Sequence, residues 1–511
     1  MMTSAKKFAS LILVLSTAWS CQNALPTEEA LRPEHGMSSV LPADEADSRI
    51  VVDAAQPLGA VMRMERATTH STSSPLPGEP TRSYMQGLDH EVVRTWIQTR
   101  YVYNKGDIDY NYKYELSGVG AEDALAFYAT TGKSVLIALS AYNSTSAWPL
   151  PEGDAFTEFL AQTLIYYKSR YPNIRYIQVG NEPDASKTTM ATYYPIYRQY
   201  YRAVNEANAR LNLGDGDRLL ISNGPFTSNV PNMLTYADGF LAAYAADTDP
   251  TKKLDFFSFH SYGETDRPRQ LLTARERIDA AMQKHGLPVI PAFVTEYGMF
   301  GGSTLPVRFT LADLVTMQPA GQLTKAFYLY EGGIDNVFNW AIHHRTLPSK
   351  SQIADVETGI AYPYGNALLL AKEVSDRRTR IAASSKNIDN LGLGTHVLAS
   401  MQPGKGVAVL VWNYHWRKEA SEDEFNVLIK NIPRSAAGGR VPGGGNSPTM
   451  GGGKMRSRIY IIDSKNNNYF TNSQQNSLQV TKEEELYYSS SLSIPLKLER
   501  HAVALILLTH K

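Results

Sequence analysis

Eight short apolar runs recur about every 40 residues up to residue 341 of this chain. They read IVVDA near residue 50, VVRTWI at 92–97, SVLIALS at 134–140 and YIQVGNE at 176–182. RLLISNG at 218–224, FFSFHSY at 256–262, PVIPAFVTEY at 288–297 and NVFNWA at 336–341 complete the set. Their β-branched and aromatic content, bounded by turn residues, marks them as buried strands. Amphipathic stretches of helical period lie between them, among them 154–171, 190–211, 270–285 and 310–332. Strand–helix alternation on this count predicts an α/β fold, a (β/α)8 TIM barrel over residues 49–378. Such a barrel gathers its functional groups at the C-terminal ends of its strands.

The period changes after about residue 378. THVLASMQ, GVAVLVWNY, FNVLIKNI, SRIYIID, LSIPLKLE and AVALILLTH alternate every second residue and are punctuated by turn residues. They predict an all-β sandwich domain over 379–511, with the Gly-rich stretch 435–453 as a loop within it.

The first residues have the pattern of an export signal. Lys6 and Lys7 precede an apolar stretch, Phe8–Ala18, that is too short to span a bilayer. Residues 1–20 are therefore expected to be a signal peptide. The single cysteine of the chain, Cys21, follows at once and resembles the lipid-modified cysteine of bacterial lipoproteins. A polar segment over 21–48, with Pro26, Pro33 and Pro42, reads as a flexible tether. The expected location is thus outside the cytoplasm, either anchored in a bacterial envelope or secreted. One cysteine permits no internal disulfide and no cysteine-ligated metal site.

Charge narrows the partners. Lys+Arg and Asp+Glu both number 50, so the net charge is zero. That argues against nucleic acid, and against a membrane surface except through the lipid anchor. A neutral carbohydrate fits better, and 30 tyrosines and 6 tryptophans offer rings on which sugar faces pack. No pair of histidines has ligand spacing on a predicted helix, so no metal is expected, and nothing calls for a cofactor.

The strand ends carry the chemistry. The second offers Arg94, the fourth Asn181 and Glu182, the sixth His260 and Tyr262, the seventh Glu296 and the eighth Trp340. Trp148 lies in the segment after the third strand. His343–Arg345, after the eighth, read as a surface loop. Glu182 and Glu296 are about three βα units apart, which places them nearly across the barrel mouth. Two facing carboxyl groups suit the cleavage of a glycosidic bond, which needs a proton donor on one side of the sugar and a carboxylate on the other.

The NEP and TEYG segments resemble those of the retaining glycoside hydrolases of clan A. VVRTWI, LDFFSFHSYG and the C-terminal VAVLVWNY, NNNYF and LERHAVALILL resemble glycoside hydrolase family 39, known for β-xylosidases and α-L-iduronidases. The resemblance spans about residues 50–511. It implies that Glu182 is the acid/base and Glu296 the nucleophile of a double displacement through a covalent glycosyl-enzyme. It also implies that Arg94 and Tyr262 support the charge of Glu296, that Asn181 meets the sugar 2-OH, and that Trp340 floors the cleavage subsite. Two other readings stand beside it: a non-catalytic carbohydrate-binding protein on the same scaffold, and a transglycosylase. Sugar, linkage, exo or endo action and oligomeric state are left open.

Overall fold

The computed structural model describes residues 49–510 apart from 73, 80, 105, 141–149, 228–229, 300–310, 341–352, 355–359, 417–421, 434–452, 476 and 489. Cys21, Trp148, His343–Arg345 and nearly all of the Gly-rich stretch lie outside the described residues.

Eight parallel strands form one sheet: Ala67–Thr69, His90–Gln98, Gly132–Ser140, Ile174–Val179, Leu220–Ser222, Phe257–Ser261, Ala292–Tyr297 and Asn336–Trp340. Each pairs with its neighbours in chain order, and the eighth pairs back onto the first. The seam between the fifth and sixth strands is closed by bridges from Ser222 to Phe256 and from Phe226 to Phe259. Helices Thr81–Gly87, Ala121–Thr131, Gly153–Arg170, Met190–Arg210, Val230–Ala246, Ala274–Lys284, Leu311–Glu331 and Pro363–Ser375 follow the strands in turn. This is the (β/α)8 barrel that the alternation predicts. Among the described residues no helix is long and apolar enough to cross a membrane.

The barrel interior is built in layers because alternate residues of a strand face the same way. At the floor, Ala67, Val92, Leu136, Tyr176, Leu220, Phe256, Phe293 and Phe338 form one apolar cluster. Every strand, or the residue just before it, contributes one member. The rings of Phe256 and Phe293 meet at 4.6 Å. Two residues further along, the interior turns polar on most of the strands. Arg94, Gln178, Ser222, Ser258 and Thr295 occupy this layer and are all buried. A polar layer over an apolar plug must hydrogen-bond within itself. Gln178 Nε2 donates to Thr295 Oγ1 at 2.9 Å, and the hydroxyls of Ser222 and Ser258 are 3.2 Å apart.

The second sheet has nine strands, in the order Lys482–Tyr488, Gly453–Ile462, Val503–His510, Gly406–Tyr414, Gly394–Gln402, Thr379–Ser385, Ile50–Ala60, Asp423–Lys430, Leu492–Leu498. The predicted sandwich is thus a single hydrogen-bonded sheet. One of its faces forms its own core, with Val409 and Ile506 from one end and Val427 and Ile494 from the other in the same cluster. The opposite face is mostly exposed along Asp423–Lys430 and Leu492–Leu498, and packs on the barrel helices along Gly394–Gln402, Gly406–Tyr414, Gly453–Ile462 and Val503–His510. Trp412 is fully buried there, stacks on His396 and donates from Nε1 to Thr324 Oγ1 at 2.8 Å.

Ile50–Ala60 corrects the sequence reading. It was expected to be the first barrel strand, but it pairs antiparallel with Thr379–Ser385 and parallel with Asp423–Lys430 in the nine-stranded sheet. The physical reason is its alternation. Ile50, Val52 and Ala54 are buried while Val51 and Asp53 are only partly so. A strand with one buried face suits that sheet, whereas barrel strands are covered on both faces. The true first strand, Ala67–Thr69, is three residues long and fully buried. It is too short to show any period.

Candidate active site

The fourth strand ends at Val179, and the chain then turns sharply. Gly180 has φ of +80° and Glu182 φ of +46°. Glycine adopts the left-handed region freely, but for glutamate it costs about 1–2 kcal/mol. Neighbouring strands hold the turn in place. Gly180 N–H donates to the Leu139 carbonyl at 2.9 Å and Glu182 N–H to the Pro225 carbonyl at 3.0 Å. Asp184 accepts from the Thr227 N–H and, at 2.6 Å, from its hydroxyl, which ties the loops after the fourth and fifth strands together. The bend brings the Asn181 and Glu182 side chains over the barrel mouth.

The seventh strand reaches the same place by a different device. Strict alternation from the inward Phe293 would point Glu296 away from the interior. The ladder to the sixth strand slips between Val294 and Glu296, so that Glu296 pairs with His260. His260 has the inward parity of Phe256 and Ser258. This bulge therefore turns Glu296 inward as well, a known use of bulges beside active sites.

Arg94 organises the cluster. It is fully buried, and its guanidinium donates from Nε to Gln178 Oε1 at 2.7 Å, from Nη1 to Glu296 Oε1 at 2.5 Å and from Nη2 to Asn181 Oδ1 at 2.7 Å. Its cationic face lies 4.5 Å from the ring of Trp96. The Tyr262 hydroxyl donates to the other Glu296 oxygen at 2.6 Å. Burial first, then the charge of Glu296, holds the Tyr262 phenol far above its usual range, so it stays a protonated donor. Because Asn181 gives its oxygen to Arg94, its amide nitrogen is the end aimed elsewhere.

The two carboxyl groups differ in setting. The Glu296 side chain is 7% exposed, paired with a cation and bonded by a phenol. The Glu182 side chain is 30% exposed, and its Oε1 is 2.7 Å from His260 Nδ1. A hydrogen bond joins these two atoms, its donor set by the tautomer of the imidazole. His260 Nδ1 is also 3.6 Å from Glu296 Oε2.

One ligand atom each from Glu182, His260 and Glu296 falls within 4.8 Å of the other two. That is cation-site spacing, assembled from three strands and so invisible to a search for helix-spaced histidines. Arg94 and Tyr262 already occupy both Glu296 oxygens, and the guanidinium opposes a second positive charge there.

Six of the residues singled out in the sequence thus meet: Arg94, Asn181, Glu182, His260, Tyr262 and Glu296. Trp340, the last residue of the eighth strand, stands at the same mouth with its ring edge-on to Trp96 at 5.2 Å and 88°. Sequence reasoning passed over Trp96 and Gln178. Gln178 had a signal, a polar side chain inside the apolar run YIQV. A cavity of about 620 Å³ opens beside the fourth-strand loop, lined by Asp184, Thr189, Thr227 and Tyr236 among others, but none of the six residues reaches it.

No protein-family model matches the chain, and no curated protein is similar to it in sequence. Solved structures share its fold. A glucosidase from Croceicoccus marinus superposes with a TM-score of 0.65 at 16% identity, over 91% of this chain and 99% of that one. A monomeric beta-xylosidase from Caulobacter crescentus gives 0.63 at 14% identity, over 90% and 99%. An alpha-L-arabinofuranosidase from Thermotoga maritima gives 0.55 at 13% identity, over 91% and 100%. At such identity the likeness is one of fold, and it extends over both sheets of the chain.

Proposed function

We propose that this protein is a retaining glycoside hydrolase. The observation that carries the reading is the facing pair of carboxyl groups, with one oxygen of each within 4.8 Å of the other. Retaining enzymes hold their two carboxyls about 5–5.5 Å apart, and inverting enzymes about 6.5–9.5 Å apart to admit a water. Glu296, with a cation and a phenol on its oxygens, is suited to ionised attack on the anomeric carbon. As that C–O bond forms, the bond to the leaving group breaks, and Glu182 supplies the proton the departing oxygen needs. Water then attacks the glycosyl-enzyme, Glu182 takes the proton back, and Glu296 leaves as carboxylate. The His260 hydrogen bond to Oε1 fixes the orientation of the Glu182 carboxyl. Asn181 is placed for the sugar 2-OH, and Trp340 with Trp96 for a ring face.

Neutral pentosides and hexosides are the proposed substrates. Among the described residues, the rings of Trp96 and Trp340 and the Asn181 amide stand beside the Arg94–Glu296 ion pair and the Glu182 carboxyl, groups that suit an uncharged sugar. The names of the fold neighbours, a glucosidase, a xylosidase and an arabinofuranosidase, point the same way. The test is proton NMR of the anomer first released from aryl xylosides, glucosides and arabinosides. Retained configuration supports the reading. Inverted product, or no turnover across the panel, contradicts it. Export with lipidation of Cys21 belongs to the same proposal, and Cys21→Ser is expected to shift the protein out of the membrane fraction.

A further inference from the structure

Lys325 is fully buried on the helix Leu311–Glu331, outside the cluster of residues described above. A lysine is almost never fully buried unless its ammonium is satisfied. This one donates three hydrogen bonds, all to main-chain carbonyls: Ser261 at 3.1 Å, Gly263 at 2.7 Å and Gly298 at 2.9 Å. These carbonyls lie at the ends of the sixth and seventh strands, where Ser261 is the last residue paired with the seventh. Ser261 and Gly263 flank Tyr262, and Gly298 is two residues beyond Glu296. The helix thus grips the chain on both sides of the phenol and just past the carboxylate that the phenol bonds.

We propose that Lys325 is a positioning residue of the reaction centre, whose three hydrogen bonds lock the ends of the sixth and seventh strands together and so hold the Tyr262 hydroxyl on Glu296. The inference rests on the reading of Glu296 as the attacking carboxylate. A neutral amine has one donor fewer and can hold only two of the three carbonyls. Burial pulls the ammonium down to about 8, against the opposing pull of Glu264, whose charge alone among the described residues bears on it. The clamp is therefore complete below that pH and loosened above it.

The experiment measures kcat/KM on the dinitrophenyl glycoside that the wild-type protein turns over best. That leaving group needs no proton, so Glu182 drops out of the measurement. Lys325→Met, shown folded by circular dichroism, is expected to lower kcat/KM by about 10–100-fold, the scale of a misplaced catalytic group, with the loss in kcat and KM changed less than about threefold. Lys325→Met added to Tyr262→Phe is expected to cost at most about threefold more than Tyr262→Phe alone, because the hydroxyl through which Lys325 acts is already gone. Full activity in Lys325→Met, or losses that multiply in the double variant, overturns the proposal. Should Lys325→Met not fold, the wild-type pH profile on the same substrate decides. A fall in kcat/KM as pH rises through about 8 supports the clamp, and a level profile to about pH 10 overturns it. No turnover of any glycoside by the wild type would sink the reading of the site, and the role of Lys325 with it. Turnover with an indifferent Lys325 would sink only the latter.

Discussion

Arg94 and Glu296 are 202 residues apart in sequence and 2.5 Å apart across the barrel mouth, as a buried ion pair. The guanidinium does more than neutralise a carboxylate. Its remaining donors fix Gln178 in the polar layer and Asn181 beside the facing glutamate, so the fourth and seventh strands are both tied to the second by one side chain. Arg94→Met is expected to lower stability by about 3–5 kcal/mol, the cost of leaving a buried charge without its partner. It should also abolish most turnover. Arg94→Lys is expected to recover stability better than activity, because one ammonium cannot reproduce a planar three-way fork. Urea unfolding and kcat/KM on the same preparations check this. Wild-type stability in Arg94→Met would mean that the ion pair is not what holds Glu296.

Glu182→Ala separates the two carboxyl groups by role. Loss of a general acid should cost about 10²–10⁴-fold on substrates with poor leaving groups. It should cost little in the first chemical step of a dinitrophenyl glycoside. Azide, small enough for the space vacated, should then speed turnover and give a glycosyl azide of retained configuration. Equal losses on both substrates, with no response to azide, would remove Glu182 from the acid/base role.

Gly224 tests how the Glu182 turn is supported. A Cβ added there would lie 2.3 Å from the Val179 carbonyl oxygen, which is backbone and cannot rotate away. Tyr193 braces the same point, donating to the Val179 carbonyl at 3.2 Å and accepting from Gly224 N–H at 2.5 Å. Gly224→Ala should push Val179, and with it Asn181 and Glu182, away from Glu296. A loss on the order of 10²-fold is expected on poor leaving groups, and less on activated ones. A uniform loss on both, tracking a lowered melting temperature, would indicate damage to the fold rather than to the turn.

Much of this site could be read in the sequence because its residues end apolar runs. Glu182, His260, Glu296 and Trp340 each stand where a buried strand meets a turn, and a barrel brings such positions together. What could not be read depends on register. Trp96 lies within the run VVRTWI, where nothing marks it as lying at the mouth. The slip that turns Glu296 inward leaves no trace in alternation, which places that residue on the outer face. Lys325 sits in an amphipathic helix and looks like any solvated lysine until the strand ends it caps are in view. The fold follows the same pattern. Long periodic helices such as Met190–Arg210 were plain, whereas Thr379–Ser385 and Lys482–Tyr488, with exposed or small residues, lacked the apolar alternation that marks a strand.

Glu296, as the attacking carboxylate, is expected to bond covalently to the sugar. An activated 2-deoxy-2-fluoro glycoside of the sugar that the protein turns over slows both steps but the second more, so a nucleophile accumulates as its glycosyl ester. The most direct measurement is peptide mass spectrometry after that treatment. One fluoroglycosyl group per chain is expected, on the peptide that contains Glu296, with loss of activity in step and no label in Glu296→Ala. Label on Glu182 or another residue, or full hydrolysis with no label at all, would contradict it.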